Sequence, residues 1–399
     1  MQMDNHYTLL QLLTEAQNHD VACICVSNGF DDPYGRYEFL AGFGEKTSFH
    51  APEGISTSDS LKMGFCSYDL KNRLEALESK HPQAVQVPDF YFFEPTYYYK
   101  SLRNKVDCES NFSLPEAARL SQKKTSVEFV CSTPKHQYLQ HVEQIKECIK
   151  NGDFYEMNYC LQFESNTCLN PYALFADLNK TAPAPFATFF KYHHKFLLCS
   201  SPERFMAKRS QKLIAQPIKG TRKRHADVYA DNQIMETLGN SEKDRAENIM
   251  IVDLLRNDLS RVCVPGSVVV PELCKVYSFS HVHQMISTVI GEITSDIGFE
   301  ALLQASFPMG SMTGAPKIQV MKDIERFESF SRGWYSGCLG YWENGDFDLN
   351  VVIRALQLDT HSEKMYYHVG GAITYDSIPE EEYRECLQKA AGLLQALKN

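Results

Sequence analysis

The sequence predicts an α+β fold in which large antiparallel β-sheets form layers and helices pack outside them. Short apolar runs (FATFFKY, KFLLCSS, FMAKR and KLIAQPI) follow one another over residues 186–218 and are joined by turns, which favours antiparallel pairing. The C-terminal part repeats this pattern, because SGCLGYWE and DFDLNVVIRALQLD meet at Asn344-Gly345, a dipeptide typical of tight hairpins. Segments with helical periodicity interrupt the strands and would cover the sheets.

The N-terminal part of the chain differs in composition from the rest. Residues 1–110 mix short strand-like runs, among them VACICVSNGF and RYEFLAGFG, with turns. Residues 111–135 are polar and rich in helix and strand breakers, as a linker would be. We therefore predict an N-terminal lobe over residues 1–125 that is intertwined with the core, and a main domain over residues 126–399.

Three segments have the apolar periodicity of helices. The first covers residues 136–152 and ends at Gly152, and the second covers about 241–262. The third covers about 379–398 and opens with a proline and three glutamates, as helix N-termini favour. The apolar positions that define the first two helices are Tyr138, Val142, Ile145 and Ile149, then Ile249, Val252, Leu255 and Leu259.

The composition excludes several classes of protein. Of 399 residues, 43% are hydrophobic and 23% are charged, as in globular proteins with a substantial core, and no apolar run approaches the ~20 residues of a membrane span. A net charge of -10 argues against nucleic acid as a partner. Thirteen cysteines without CxxC pairs suit a reducing compartment, and the N-terminal segment lacks a basic targeting region. We expect a cytoplasmic protein without a membrane partner.

Two predicted helices carry carboxylates at matched spacing. Asp244 and Glu247 are three residues apart and share a helix face, and so do Glu382 and Glu385, with Lys389 one turn further on. Either pair alone is more typical of a solvated helix face than of a metal site. Two such pairs that faced one another could hold a hard cation, and Mg²⁺ is the natural candidate because it leaves ligand positions for an anionic substrate.

Eight stretches over residues 150–399 carry a family resemblance. They are CSSPERF (199–205), QPIKGTR (216–222), KDRAENIMIVDLLRNDLSRV (243–262), FPMGSMTGAPK (307–317), YSGCLGYW (335–342), NVVIRA (350–355), GGAITYDS (370–377) and EYRECLQKA (382–390). In these stretches the chain resembles the chorismate-utilising enzymes, and within them the branch that makes 4-amino-4-deoxychorismate. The resemblance implies an anthranilate synthase component I-like fold and makes residues 126–399 the chorismate-binding catalytic domain.

The resemblance also implies a metal site and a substrate site between two sheets. Glu247 and Glu385 would bind Mg²⁺ directly, while Asp244 and Glu382 would act through waters, and the metal would hold the ring carboxylate of chorismate. Arginine's planar fork suits the second carboxylate, which Arg354 and Tyr335 would grip. The substrate-binding residues implied are Gly220, Thr221, Tyr335, Arg354, Lys389 and a turn formed by Gly370, Gly371 and Ala372.

Lys219, in the QPIKGTR stretch, marks the C4-aminating branch in this resemblance. We expect its neutral amine to attack C2 of chorismate while the C4 hydroxyl departs with a proton from Glu203, after which ammonia attacks C4 and expels the lysine. The mechanism requires a lowered pKa for Lys219, from burial and from nearby cations such as Arg222, and a protonated Glu203. The plainer alternatives are a surface lysine among basic neighbours and a Glu203–Arg204 salt bridge.

Other reactions of the same family remain open. Anthranilate synthase component I aminates C2 instead, where the Lys219 side chain would fill the space that ammonia needs. Isochorismate and salicylate synthases carry a lysine base where this chain has Glu156. A non-catalytic chorismate-binding member would need neither Glu203 nor Lys219. No glutaminase signature is present in the sequence, so we expect a glutamine amidotransferase subunit to supply ammonia.

Overall fold

The computed structural model describes residues 5–103, 105, 108–121, 126–279 and 282–398, without the side chain of Thr57. The helices are α1 (Asn5–Ala16), α2 (Lys71–Leu74), α3 (Lys135–Lys150), α4 (Pro171–Thr181), α5 (Val228–Gly239), α6 (Glu242–Ser260), α7 (Phe299–Ser306), α8 (Lys317–Phe327), α9 (Pro379–Lys389) and α10 (Ala391–Ala396). Short 3₁₀ helices lie at Pro52–Thr57, Tyr68–Leu70 and Gly310–Met312.

The strands lie between these helices, singly or in runs, throughout the described ranges. They are β1 (Val21–Val26), β2 (Tyr37–Phe49), β3 (Lys62–Cys66), β4 (Phe90–Leu102), β5 (Cys108–Ser110), β6 (Val130–Cys131), β7 (Glu156–Ser165), β8 (Phe186–Tyr192), β9 (Lys195–Ser201), β10 (Arg204–Arg209), β11 (Lys212–Gln216), β12 (Ile218–Lys223), β13 (Val269–Ser278), β14 (Val282–Glu292), β15 (Gly314–Ala315), β16 (Cys338–Glu343), β17 (Asp346–Val351), β18 (Ala355–Asp359) and β19 (Lys364–Ile373).

The pairing of the described strands is antiparallel throughout and forms two large arrays. The first runs β7–β19–β18–β9–β8–β1–β2. The second runs β4–β3–β16–β17–β10–β11–β14, with β12 and β13 also paired to β14. The long strands β2 and β4 pair with each other and join the arrays. The predicted class, antiparallel sheets with helices, is confirmed.

Alternation along the strands separates two cores. In β1, Val21 and Cys23 join a cluster to which both arrays contribute, while Ala22 and Ile24 face the helix-covered side. Across the inter-sheet cluster, the rings of Phe65 on β3 and Phe190 on β8 meet edge to face at 5.3 Å. Because side chains alternate faces along a strand, β1 supplies both layers at once.

The predicted helices exist, with two corrections. In α6 the buried apolar stripe is Ile251, Val252, Leu255 and Leu259, whereas Ile249 is exposed, so its assignment to the stripe was wrong. The third predicted helix is two helices, because α9 ends at Lys389 and α10 begins at Ala391. The expectation that DFDLNVVIRALQLD is one strand was also wrong, because the run divides into β17 and β18.

The proposed lobe boundary at residues 125/126 stays a prediction, and residues 122–125 lie outside the described ranges. Within the described ranges, no helix is long and apolar enough to cross a bilayer.

Candidate active site

A β-bulge positions Lys219. Strand β12 pairs with β14, but the register shifts between Ile218 and Thr221, and Gly220 has a φ of +85°. The strand continues beyond the glycine to Lys223, so Gly220 belongs to a bulge within the strand. A side chain at Gly220 would place its Cβ 2.8 Å from Asp244 Oδ1, so the site requires glycine for both conformation and space.

The side chain of Lys219 points inward to a carboxylate on another strand. Its Nζ lies 2.8 Å from Oε1 of Glu156, the first residue of β7, and 3.9 Å from Oε2 of Glu247 on α6. The side chain of Lys219 is 11% exposed and that of Glu156 is 1% exposed. The alternative of a surface lysine is therefore wrong.

The charge state expected for Lys219 was also wrong. Burial alone lowers the pKa of this amine, but the negative charges of Glu156 and Glu247 and the hydrogen bond to Glu156 outweigh burial, so the pKa rises above its usual value. The basic neighbours do not oppose this effect, because Arg222 pairs with Asp244 at 2.6 Å and Arg224 pairs with Asp231. In this structure Lys219 is an ammonium ion.

Glu203 has the environment of a buried acid. Its carboxyl accepts a hydrogen bond from Ser311 Oγ at 2.8 Å, and burial raises its pKa to about 7, although Ser311, Lys219 and Arg354 oppose the rise. The adjacent Arg204 does not pair with it. That guanidinium turns to the other side of β10 and pairs with Asp32 and Asp348 at 2.5 and 2.8 Å, so the Glu203–Arg204 alternative was wrong.

Arg354 and Tyr335 lie in different local settings. Arg354 sits between β17 and β18 with a φ of +51°, and no described residue forms a hydrogen bond or ion pair with its guanidinium. Burial lowers the pKa of Arg354, and the charge of Glu203 works against that change. Tyr335 is buried, stacks on His368 at 5.1 Å, and accepts a hydrogen bond from Cys160 Sγ. No described contact joins Tyr335 to Arg354, so their shared grip stays a prediction.

The four candidate metal ligands lie on facing helices and are paired with cations. The ammonium of Lys243 stands between α6 and α9, 4.0 Å from Glu247 Oε1 and 3.4 Å from Glu382 Oε1. Asp244 is held by Arg222, and Glu385 by Lys389 at 2.8 Å. As placed, no three His, Cys, Asp or Glu side chains in the described ranges converge closely enough to hold a metal ion.

The donor chemistry nevertheless fits a hard cation. Lys243 already places a positive charge between carboxylates of the two helices, and these carboxylate oxygens are the ligand type that Mg²⁺ prefers. A metal ligated by both helices would have to displace that ammonium.

The glycine-rich segment is a strand. Gly370, Gly371 and Ala372 lie within β19 and pair with Cys160, Tyr159 and Asn158 of β7, so the predicted turn was wrong. No positive φ occurs there, and Ala372 carries no backbone strain. Gly370 is required by space, because a Cβ would come within 2.5 Å of Cys160 Sγ.

Two other predicted substrate residues lie beside elements of the site. Lys389 Nζ donates to the carbonyl of Gly370 at 2.8 Å, which links α9 to β19. The Thr221 hydroxyl accepts from Gln284 Nε2 at 3.5 Å across β12 and β14.

The principal residue that the prediction missed is Glu156 as the partner of Lys219. The two are 63 positions apart, and no local pattern links them. Ser311, the hydrogen-bond partner of Glu203, was missed for the same reason, although it lies in the recognised FPMGSMTGAPK stretch. The available signal was that Glu156 opens a largely apolar run with no further acid until Glu164.

The two sheets with helices outside define a known architecture. The structure of MenF, the menaquinone-specific isochorismate synthase from Escherichia coli, superposes with a TM-score of 0.80 at 18% identity, over 98% of this chain and 91% of that one. A family model described as chorismate binding enzyme matches residues 21–395. The chain belongs to the chorismate binding enzyme family.

Curated relatives within that family include two kinds of synthase. The chain is 44% identical over 284 residues to the chloroplastic aminodeoxychorismate synthase of Arabidopsis thaliana, which covers 69% of this chain and 30% of that protein. It is 34% identical over 339 residues to anthranilate synthase component 1 of Saccharolobus solfataricus, covering 84% and 80%. The chain spans about a third of the length of the first of these relatives.

Proposed function

We propose that this protein is an aminodeoxychorismate synthase of the component 1 type, which aminates chorismate at C4 and gives 4-amino-4-deoxychorismate. The observation that carries the proposal is the joint placement of Lys219 and Glu203. Glu203 is buried and the side chain of Lys219 is only 11% exposed, the two are close enough for each to influence the other's pKa, and burial raises the pKa of Glu203 to about 7. Binding alone does not require an amine and an acid in one pocket.

The chain's own residues account for the reaction in two displacements. The Lys219 amine forms a bond to C2, the ring double bonds shift, and the C4 hydroxyl leaves as water with the Glu203 proton. Ammonia then forms a bond to C4, the double bonds shift back, and the bond from C2 to Lys219 breaks. The proton released by the new amine returns to Glu203. The net change is chorismate plus ammonia to product plus water.

Lys219 must lose its proton before it can attack, and in this proposal the proton passes to the Glu156 carboxylate, 2.8 Å from Nζ, and returns when the amine is expelled. The groups that hold that proton are Glu156, which accepts its hydrogen bond, and Glu247, one of the proposed metal ligands. Glu247 and Glu385, with Asp244 and Glu382 around them, would hold Mg²⁺. When bound, the cation would neutralise these carboxylates and attract the ring carboxylate of chorismate. Arg354, whose fork has no described partner, suits the other substrate carboxylate.

The nitrogen source in this proposal is a partner subunit. Several relatives carry the designation component 1, which implies a second component. We propose that it is a glutamine amidotransferase that releases ammonia, so that ammonium salts replace it in vitro.

Anthranilate synthase activity is the second candidate, because a component 1 of that type matches the chain over most of its length. The inward Lys219 favours C4 amination over it. Purified protein incubated with chorismate, Mg²⁺ and ammonium should give 4-amino-4-deoxychorismate, identified by mass and absorbance. Formation of anthranilate would overturn the assignment, and so would a Lys219→Ala variant that made the product at the rate of the unsubstituted protein.

A further inference from the structure

A fully buried ion pair has no part in the proposed reaction. Arg332 and Glu328 lie in the segment between α8 and β16, their side chains are each 1% exposed, and Nη2 of the arginine lies 2.6 Å from Oε1 of the glutamate. A second hydrogen bond, of 2.9 Å, joins Nε to Oε2. Because the cost of removing two charges from water can exceed their attraction, stability alone does not explain such a pair.

The remaining donors of Arg332 hold other segments of the chain. Nη2 donates to the carbonyl of Asn158 on β7 at 2.8 Å, and Nη1 donates to the carbonyl of Met312 at 2.7 Å. The last N–H reaches Ser336 Oγ at 3.2 Å. A guanidinium has five N–H donors in one rigid plane, and here each of them is bonded. The group therefore ties β7 to the 3₁₀ helix that ends at Met312.

Both of these segments carry groups of the site. Ser311, next to Met312, donates through Oγ to Glu203 at 2.8 Å. The side chain of Asn158 donates to the Ser311 carbonyl at 3.1 Å. Arg332 is thus separated from the proposed acid only by the short segment that carries Ser311, and it holds that segment on both sides.

The pair also contacts the neighbours of Tyr335. Glu328 Oε1 accepts from the backbone N–H of Cys160 at 3.0 Å, and Cys160 Sγ donates to the Tyr335 hydroxyl. Ser336, which accepts from Arg332, has a φ of +64°, a conformation that residues other than glycine seldom adopt. Such strain persists only where surrounding contacts impose it, and it is common at functional sites. The pair thus supports this side of the site as well.

We propose that Arg332, held by Glu328, is a positioning residue that keeps Ser311 bonded to Glu203 and so directs this acid at the substrate ring. The inference deepens the proposed function and rests on it, because it assigns the pair a role in delivering the Glu203 proton. If the pair served stability alone, an apolar pair of similar volume would replace it without loss of activity.

Exchange of the whole pair separates these two roles. The double variant Glu328→Leu with Arg332→Met, here the apolar-pair variant, leaves no uncompensated charge in the core and should retain cooperative thermal unfolding. With chorismate, Mg²⁺ and ammonium, its kcat should fall by roughly tenfold, the value of about one hydrogen bond, while the KM for chorismate stays unchanged. The matched control replaces Lys100 and Glu343, a pair 2.7 Å apart on β4 and β16, by Met and Leu, and should keep kcat unchanged.

A double-mutant cycle tests whether the pair acts through Ser311. Ser311→Ala alone should lower kcat by a similar factor. Adding it to the apolar-pair variant should lower kcat little further, because both changes remove the same hydrogen bond. If the two losses multiplied, the pair would act by another route and the inference would fail. Retained kcat in the folded apolar-pair variant would also overturn it.

Arg332→Lys is the second variant, for the case in which the apolar-pair variant does not fold. A lysine keeps a positive charge beside Glu328, but its three donors cannot reach all the acceptors that the guanidinium bonds. It should therefore fold and show the same loss of kcat with an unchanged KM for chorismate. An undiminished kcat in Arg332→Lys would contradict the positioning role.

The pH dependence of stability provides a readout that needs no turnover. Burial raises the pKa of Glu203, and the Ser311 hydroxyl, Lys219 and Arg354 oppose the rise. Loss of the Ser311 hydrogen bond should therefore raise this pKa above about 7. In urea unfolding, the contribution of Glu203 to stability should then be lost at a higher pH in the apolar-pair variant and in Ser311→Ala than in the unsubstituted protein. An unshifted pH would contradict the inference. If the unsubstituted protein formed anthranilate instead, the proposed function would fail, while this shift would still test the pair.

Discussion

Glu203 and Lys219 are neighbours whose charges are set by different forces. Burial raises the pKa of Glu203 and favours its neutral acid. Burial alone would lower the pKa of Lys219, but the carboxylates around the lysine outweigh it and raise that pKa. The expected rise in the pKa of Glu203 agrees with the structure, whereas the lowered pKa expected for Lys219 does not. Burial can be inferred from an apolar strand, but the approach of Glu156 from a distant strand cannot.

The raised pKa of Glu203 links stability to pH. A carboxyl with a folded-state pKa of about 7 and a usual value of 4.5 binds its proton more tightly in the folded protein. Its contribution to the free energy of unfolding is complete below pH 4.5 and is lost as pH rises through 7. Relative to Glu203→Gln, the unsubstituted protein should lose on the order of 3 kcal/mol between pH 4.5 and pH 8, measured by urea unfolding. A constant difference across this range would contradict the raised pKa.

The same pKa predicts the direction of the activity profile. If Glu203 acts as the acid, its reactive form is protonated, and this form declines as pH rises above about 7. In the unsubstituted protein, kcat/KM should therefore fall as pH rises above about 7. In Glu203→Gln this fall should be absent, and the C4 hydroxyl should leave far more slowly. Product formation by Glu203→Gln at an undiminished rate would assign the acid to another group.

At the scale of elements, the bulge in β12 is the feature that local sequence predicts least well. The apolar run KLIAQPI ends at residue 218, but β12 continues to pair with β14 beyond Gly220. Helix α6 was easier, because Ser241 caps its first turn by accepting from the Asp244 amide and its apolar spacing is regular. Local signals therefore located the helix, and tertiary pairing determined the bulge.

Two glycines with the same backbone conformation separate strain from crowding. Gly220 and Gly266 have φ values of +85° and +80°, but a Cβ at Gly220 meets Asp244 and Leu238 within 3 Å, whereas a Cβ at Gly266 meets no described atom within 4 Å. Gly266→Ala should cost about 1–2 kcal/mol of the free energy of unfolding, from the left-handed conformation alone. Gly220→Ala should cost more and should also weaken chorismate binding. Equal losses of stability in urea unfolding would mean that the Asp244 side chain moves away from the added Cβ without a cost in stability.

At the scale of the molecule, long-range pairing decides what the sequence could predict. Hairpins such as β16–β17, with Asn344 and Gly345 at its turn, were predictable because both strands and the turn are local. The position of β1 between β2 and β8 was not, because Val21–Val26 pairs with a strand about 165 positions later along the chain. The class of fold followed from local patterns, whereas the order of strands required the structure.

This topology predicts that the two proposed lobes do not fold separately. Without residues 1–125, β8 loses β1 and β16 loses β3, which exposes strand edges and the inter-sheet cluster around Phe190. A fragment of residues 126–399 should aggregate or lack cooperative urea unfolding, while the whole chain unfolds as one unit. A soluble fragment with a single sharp transition would instead support an independent domain at that boundary.

If the Lys219 amine forms a bond to the substrate ring, intact-protein mass spectrometry should detect the covalent adduct. The protein is incubated with chorismate and Mg²⁺ without ammonium, and the adduct is then located by peptide mapping. We predict a mass gain of one chorismate less one water, located at Lys219 and absent from Lys219→Ala. Adduct-free protein, in a preparation that makes 4-amino-4-deoxychorismate once ammonium is added, would exclude a covalent intermediate at Lys219.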